Sequence, residues 1–346
     1  MVDLTIFGDV HIAKRWDKIG KQLPKRIPFQ NPNKIFSREL ARLKKSTTLI
    51  INGDLVDYYH GLKDKSTNWD YFFNIFSGFK GKYFFNLGNH EYRLEPYNFN
   101  LYGLWNVGIK KKDREKYLKK FFRFRYLKEL KSVLVNLGKF NPLKRYPFPK
   151  FYVEEIQDSK LIFLNTGFDA KVNFKRFTQF VFFIKSWTNL KPNSTGLSRK
   201  CFNFFKKELK SSKKDIIIFI HCPAFFSLEK IKQFKIKKYN YLFRLFNHTF
   251  HEGFIRNNWN FIKTLKESDK NILVISSHTH EKNEYIIDKE KKILRGSTIK
   301  EISKLKGDSN YIKFVTSPSL TEIDSFRKER GYLRITDKEI YYNLLK

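Results

Sequence analysis

Five short segments each close an apolar run with Asp, Asn or His: Gly8-Asp9-Val10-His11, Gly53-Asp54-Leu55-Val56-Asp57, Gly88-Asn89-His90-Glu91, His221-Cys222-Pro223 and Ser277-His278-Thr279-His280. Singly, each has an ordinary structural explanation. An Asp-x-His can be a helix cap followed by a core histidine. The Asp54–Asp57 pair can be a capped turn, Gly88–Glu91 a tight turn opening a helix, and His221 a hydrogen-bonded strand end. The pair His278 and His280 is more pointed, because a period of two puts both imidazoles on one side of a strand. Taken jointly, the segments hold five of the chain's 8 histidines, beside carboxylates and an Asn. Imidazole, carboxylate and amide donors suit Mn, Fe or Zn and do not describe a structural thiolate site. There are more donors than one ion needs. A pair of ions bridged by a carboxylate accounts for the surplus.

Such residues must be brought together by the elements that carry them. The runs Leu4–Phe7, Thr48–Ile51, Tyr83–Asn86, Leu161–Leu164, Ile216–Ile220 and Ile272–Ile275 read as buried strands. Helical patterns at Lys34–Lys45, Leu197–Leu209 and Phe254–Leu265 alternate with them, which predicts an α/β protein. Towards the C-terminus, Glu284–Ile287, Ile293–Arg295, Ile312–Thr316, Tyr332–Ile335 and Glu339–Leu344 read as successive strands. In open α/β sheets, ligands gather outside the carboxyl ends of the strands, so the five segments are expected to converge. Residues 95–150, 173–193 and 227–253 interrupt the pattern with basic, aromatic-rich sequence and are expected to be insertions or lids. The whole of 1–346 is expected to be a single domain.

In kind and order, the five segments resemble the motifs of the calcineurin-like metallophosphoesterase superfamily: D-x-H, GD-x-x-D, GNH-[ED], H and GH-x-H. The stretch Phe163-Leu164-Asn165-Thr166-Gly167 resembles a usual F-L-D-T-G strand of that family, and Gly196-Leu197-Ser198 its G-L-S helix opening. Thr316-Ser317-Pro318-Ser319 is similar to the phosphodiesterase branch. The resemblance implies a four-layer α/β/β/α sandwich with inserted lid segments. It implies one metal held by Asp9, His11 and His280, a second by Asn89, His221 and His278, and Asp54 bridging them. His90 would meet the substrate phosphate and protonate the leaving oxygen, with Asp57 orienting it. Two ions roughly 3.5–4 Å apart can clamp a phosphate, and a bridging hydroxide is available near neutral pH because coordination lowers the pKa of water. Two departures stand out: Ser277 replaces the usual Gly of GH-x-H, and Tyr58 stands where Arg often follows GD-x-x-D. Neither removes a ligand. Tyr58 argues against a close tie to the protein Ser/Thr phosphatases.

Composition bounds the rest. The chain has 346 residues and a formal charge of +35, with 41% hydrophobic and 17% aromatic residues, enough for a packed core. Cys201 and Cys222 cannot make a disulfide framework, which fits a reducing compartment. Cys222 reads as a small packing residue behind its loop. No secretory leader is evident at the start, and the longest apolar runs fall far short of the ~18 residues of a spanning helix. A cytoplasmic protein is expected. The charge invites nucleic acid or an anionic membrane surface as partner, or else reflects solvated lysines everywhere. Lys110–Lys131, which interleaves cations and aromatics, has the same two readings. Arg15 and Arg93 follow motifs closely enough to reach an anionic substrate, whereas His60, His248 and His251 have no motif company. The expected function is a phosphodiesterase acting on small or lipid-linked phosphate esters. The alternatives are a nuclease and, in another class, a non-catalytic interaction module on the same fold.

Overall fold

The expected runs do form strands, and most are buried on both faces. A computed structural model describes residues 3–14, 16–17, 30–57, 68–88, 90–92, 151–166, 196–211, 215–224, 254, 257–280, 282–287, 293–295, 312–321, 330–336 and 339–345. The segments 95–150, 173–193 and 227–253 lie outside the described residues, as do Arg15, Tyr58, His60, Asn89, Arg93, His248 and His251.

The first half of the chain gives β1 (Asp3–Phe7), α1 (Pro32–Arg42), β2 (Thr48–Asn52), α2 (Asn68–Phe76) and β3 (Tyr83–Asn86). Next come β4 (Phe151–Ile156), β5 (Ser159–Leu164), α3 (Arg199–Ser211), β6 (Asp215–Ile220), α4 (Asn258–Lys266) and β7 (Ile272–Ser276). The chain closes with β8 (Asn283–Ile287), β9 (Ile293–Arg295), β10 (Ile312–Thr316), β11 (Arg330–Thr336) and β12 (Glu339–Leu345). One sheet has five strands in the order β12-β11-β1-β2-β3, the other seven in the order β4-β5-β6-β7-β10-β8-β9.

Alternation along the strands builds the layers. In β2, Leu49 and Ile51 face the helices α1 and α2, while Ile50 faces the second sheet. In β6, Ile216, Ile218 and Ile220 pack towards α3 and α4, while Ile217 and Phe219 turn to the first sheet. A strand buried on both faces needs an unbroken apolar run, and IIIFI is one. The result is helices, sheet, sheet, helices, the expected four-layer sandwich.

The helices differ in detail from the sequence expectations. α1 begins at Pro32, because the Asn31 side chain accepts from Asn33 N and Pro suits the first helical position. α4 begins only at Asn258, since Asn257 sits in left-handed backbone at φ 60°. α2 has no counterpart in the sequence reading. Its sequence NWDYFFNIF is rich in aromatics of modest helix propensity, and tertiary packing overrides that. There Phe72 stacks on Phe36 at 5.6 Å and on Phe76 at 5.5 Å between ring centroids. β4 likewise had been hidden at the end of an inserted stretch and pairs antiparallel with β5 through a turn at Gln157 (φ 52°). The C-terminal strands also divide: β8, β9 and β10 extend the second sheet, but β11 returns to pair antiparallel with β1.

Candidate metal centre

β1, β2 and β3 run parallel, as do β6 and β7, so their carboxyl ends meet at one edge of the sandwich. The loop after β1 carries Asp9 and His11, that after β2 Asp54 and Asp57, and the turn after β3 His90. From the second sheet come His221 after β6, and His278 and His280 after β7. Asn89 lies outside the described residues; the other sequence-expected site residues converge.

Two groups of donors form. Asp9, His11 and His280 make one, and Asp54, His221 and His278 the other, each with its donor atoms within 4.8 Å of one another. His11 Nε2 and His280 Nε2 face each other at 3.4 Å, and His280 Nε2 lies 3.6 Å from Asp9 Oδ1. The Asp54 carboxylate touches both groups: Oδ2 is 3.2 Å from His221 Nε2 and 3.8 Å from His11 Nε2. Donors that each stand about 2.0–2.2 Å from one ion, at tetrahedral or octahedral angles, are separated by roughly 3–3.5 Å. The observed spacings suit such ions with small adjustments. The donor chemistry, imidazole and carboxylate without thiolate, fits hard-to-borderline divalent cations. The groups and the fold together describe a dinuclear divalent metal site.

His90 stands beside this cluster. Its Nε2 is 3.8 Å from Asp54 Oδ2, its Nδ1 is 2.5 Å from the Asp57 carbonyl oxygen and 3.4 Å from Asp57 Oδ1. The His90 and His280 side chains are 12% and 18% exposed, while those of Asp9, His11, Asp54 and His221 are at most 3% exposed, so these two imidazoles form the open side. His11, Asp57 and His90 form a further close group.

The electrostatics follow from crowding charges in a dry place. Burial pushes Asp54 up, but the His221 and His90 imidazoles outweigh it and hold its carboxyl well below the ordinary range. Asp9 is likewise lowered, burial being overcome by His280 and His221. Burial, then His90, lowers His11 to about 3; burial, then His221, lowers His278 well below its usual value. Both are neutral rings with a lone pair to offer. His221 is the exception: burial opposes its charge, but Asp54 and Asp9 raise it to about 9.

The backbone here is strained. Asp9, His11 and Asp54 each have φ 51°, His278 has 71° and His280 59°. Left-handed backbone at a non-Gly residue costs about 1–3 kcal/mol and tends to collect at functional sites. Gly88 is required for space: a Cβ there would run into the Asp54 carboxylate. At Gly53 (φ 86°) a Cβ would meet the His221 ring.

Glu91 had received no role from the sequence, although it ends the third motif. It is fully buried and accepts from Leu55 N at 2.5 Å, Gly88 N at 2.6 Å and Asp54 N at 3.3 Å. One carboxylate thus ties the β2 loop to the β3 turn. Burial and the Asp54 charge push Glu91 up to about 8. Ser319 entered the sequence reading only as the end of the Thr316–Ser319 stretch, and Thr321 not at all. Their hydroxyls donate to the Asp9 carbonyl oxygen, each at 3.1 Å, which brings the stretch after β10 to the site.

The model of the calcineurin-like phosphoesterase family matches residues 3–282. Among solved structures, a dimetal phosphatase from Danio rerio is 10% identical, with 99% of this chain and 95% of that chain covered and a TM-score of 0.52. The phosphopantetheinyl hydrolase of Mycobacterium tuberculosis is 11% identical, with 99% and 96% covered and a TM-score of 0.37. A calcineurin-like phosphoesterase from Bacillus subtilis is 12% identical, with 99% and 88% covered and a TM-score of 0.38. At such identities the first likeness speaks for a shared fold. No curated protein matches the chain in sequence.

Proposed function

The chain belongs to the calcineurin-like phosphoesterase family, and from that premise we propose that this metal-dependent phosphoester hydrolase is a phosphodiesterase. Its ligands would be Asp9, His11 and His280 for one ion and Asn89, His221 and His278 for the other, with Asp54 shared. The observation that carries the reading is that shared carboxylate, close to imidazoles of both groups, with His90 at the open side. Bound there, two divalent cations (Mn, Fe or Zn by donor type) would draw charge off the phosphate oxygens and activate water.

The protein's own groups supply the rest. His90 holds a proton at Nε2 for the leaving oxygen, and its Nδ1 is fixed by Asp57, as a general acid needs. Support for a diester substrate comes from the resemblance of Thr316–Ser319 to the phosphodiesterase branch, a stretch anchored on Asp9. The same reading takes 1–346 as one domain of a cytoplasmic protein. Segments 95–150, 173–193 and 227–253 would be insertions that select the substrate. The +35 charge favours a nuclease as the second reading, with nucleic acid, or else an anionic membrane surface, as partner.

A panel of p-nitrophenyl phosphate, bis-p-nitrophenyl phosphate, cyclic nucleotides, nucleotide sugars and oligonucleotides tests this with the metal-reconstituted protein. Small diesters should turn over fastest. Faster cleavage of oligonucleotides would favour the nuclease, and a faster monoester would overturn the diester assignment. The control, His90→Ala, should lose about 10²–10⁴-fold in kcat with its metal content intact.

A further inference from the structure

The proposed ligands come from both sheets. Asp9, His11 and Asp54 stand on the first, and His221, His278 and His280 on the second. The spacing across the centre therefore depends on how the sheets sit against each other. What lies between them is apolar: Leu4, Ile6 and Ile50 from one side, Phe163, Phe219 and Ile275 from the other. Apolar contact is non-directional and does not by itself define a register to a fraction of an ångström.

Polar groups cross that layer as well: Tyr152 Oη of the second sheet donates to the Phe85 carbonyl oxygen of the first at 2.7 Å, and beside the proposed ligands stands the amide of Asn52. Asn52, the last residue of β2, is fully buried. Its Nδ2 donates to the Ile220 carbonyl oxygen at 2.9 Å and to Ser277 Oγ at 3.2 Å, with the Ile275 carbonyl oxygen at 3.4 Å. Its Oδ1 accepts from Asn86 Nδ2 at 2.9 Å, which fixes which way the amide points. Ile220 immediately precedes His221, and Ser277 immediately precedes His278. A single side chain of the first sheet thus holds the residues before two proposed ligands of the second. A buried amide is costly unless satisfied, and this one has partners on both of its polar atoms.

We infer that Asn52 is a positioning residue, whose amide pins β2 to the ends of β6 and β7 and so sets the spacing between the two halves of the metal centre. The inference rests on the ligand assignment proposed above. Ser277, the departure from the family's usual Gly, gains a purpose here: its hydroxyl is an acceptor that glycine would lack. The His221 ring is held separately, by Nδ1 at 3.0 Å from the Asn52 backbone carbonyl oxygen. Replacing the Asn52 side chain leaves that bond in place, so a substitution isolates the pin.

The test compares wild type with Asn52→Leu, which keeps the bulk and removes the amide. Both are titrated with Mn²⁺ by calorimetry, and the ion pair is followed by the exchange-coupled electron paramagnetic resonance signal. Affinity for the second ion should fall about 10- to 100-fold, as when groups supporting metal ligands are removed. The coupled signal should give way to that of isolated Mn²⁺. Leu265→Ala, a buried α4 residue in the core between the helices and the second sheet, controls for lost stability and should lower the melting temperature with both metal readouts intact. Should Asn52→Leu give no cooperative melt, Asn86→Ala is read on the same scale. It leaves Asn52 Oδ1 without its donor and should weaken the second ion in the same direction. Unchanged affinity and coupling in the folded variant would overturn the pin alone. A wild-type protein that takes up no ions would overturn the ligand assignment, and this inference with it.

Discussion

Asp54 is held from several sides at once. Its Oδ1 accepts from His90 N at 2.8 Å, its Oδ2 lies 3.2 Å from His221 Nε2, and its own amide donates to Glu91. Its backbone takes a left-handed conformation, and Gly88 leaves room for its carboxylate. Asp9 Oδ1 also lies near both groups, 3.6 Å from His280 Nε2 and 3.9 Å from His221 Nε2, but Asp54 approaches His221 more closely, at 3.2 Å. Asp54→Ala should therefore strip or disorder both ions, measured as metal-to-protein ratio by elemental analysis. Two ions retained would refute bridging by this residue. His11 turns its Nε2 to the cluster, while its Nδ1 is buried 3.8 Å from Asp57 Oδ1 with no hydrogen-bond partner among the described residues. Such an atom is normally paired in a native interior.

At the scale of elements, the helices on the first sheet brace the strands that carry Asp54 and His90. α2 does this with aromatics: Phe72 stacks on Phe36 and Phe76 and meets Phe85 of β3 edge-on at 5.8 Å. Phe72→Ala should cost about 3–5 kcal/mol, since the surrounding rings cannot collapse fully into the space left. Denaturant unfolding of the metal-free protein measures it; a loss under about 1 kcal/mol would mean the layer repacks freely. The sequence hid this helix because its aromatics have modest helix propensity and its packing against Phe36 and Phe85 is tertiary. The strands beside it were legible, because burial on both faces demands an apolar run that no other element of this length needs.

At the scale of the molecule, the centre is also a staple. The proposed ligands from two sheets and strained backbone at Asp9, His11, Asp54, His278 and His280 meet at one edge, so cations bound there would favour the folded state over the unfolded one. Chelation should lower the melting temperature by several degrees, because ions at a hundred times their dissociation constant contribute about 2.7 kcal/mol. Equal melting with chelator and with excess Mn²⁺ would count against a structural share for the ions. Among the described residues no helix is long and apolar enough to cross a membrane. The +35 charge leaves no mark on the proposed centre, whose ligands would be Asp, Asn and His.

The residue types and spacings by themselves pointed to a two-ion centre, and the family resemblance of the five short motifs pointed to the reaction class. Spacing was sufficient for most of the strands, because alternation to two buried faces is written in consecutive residues. Only the tertiary structure decided what joins those parts. Glu91 ties two loops through backbone amides, Ser319 and Thr321 cap the carbonyl oxygen of a residue more than three hundred positions earlier, and Asn52 crosses from sheet to sheet. A ligand is recognisable by type because its donor atoms must suit the ion. A supporting residue is defined by what it touches, and for these residues most of the partners lie far off in sequence, so no local pattern announces them.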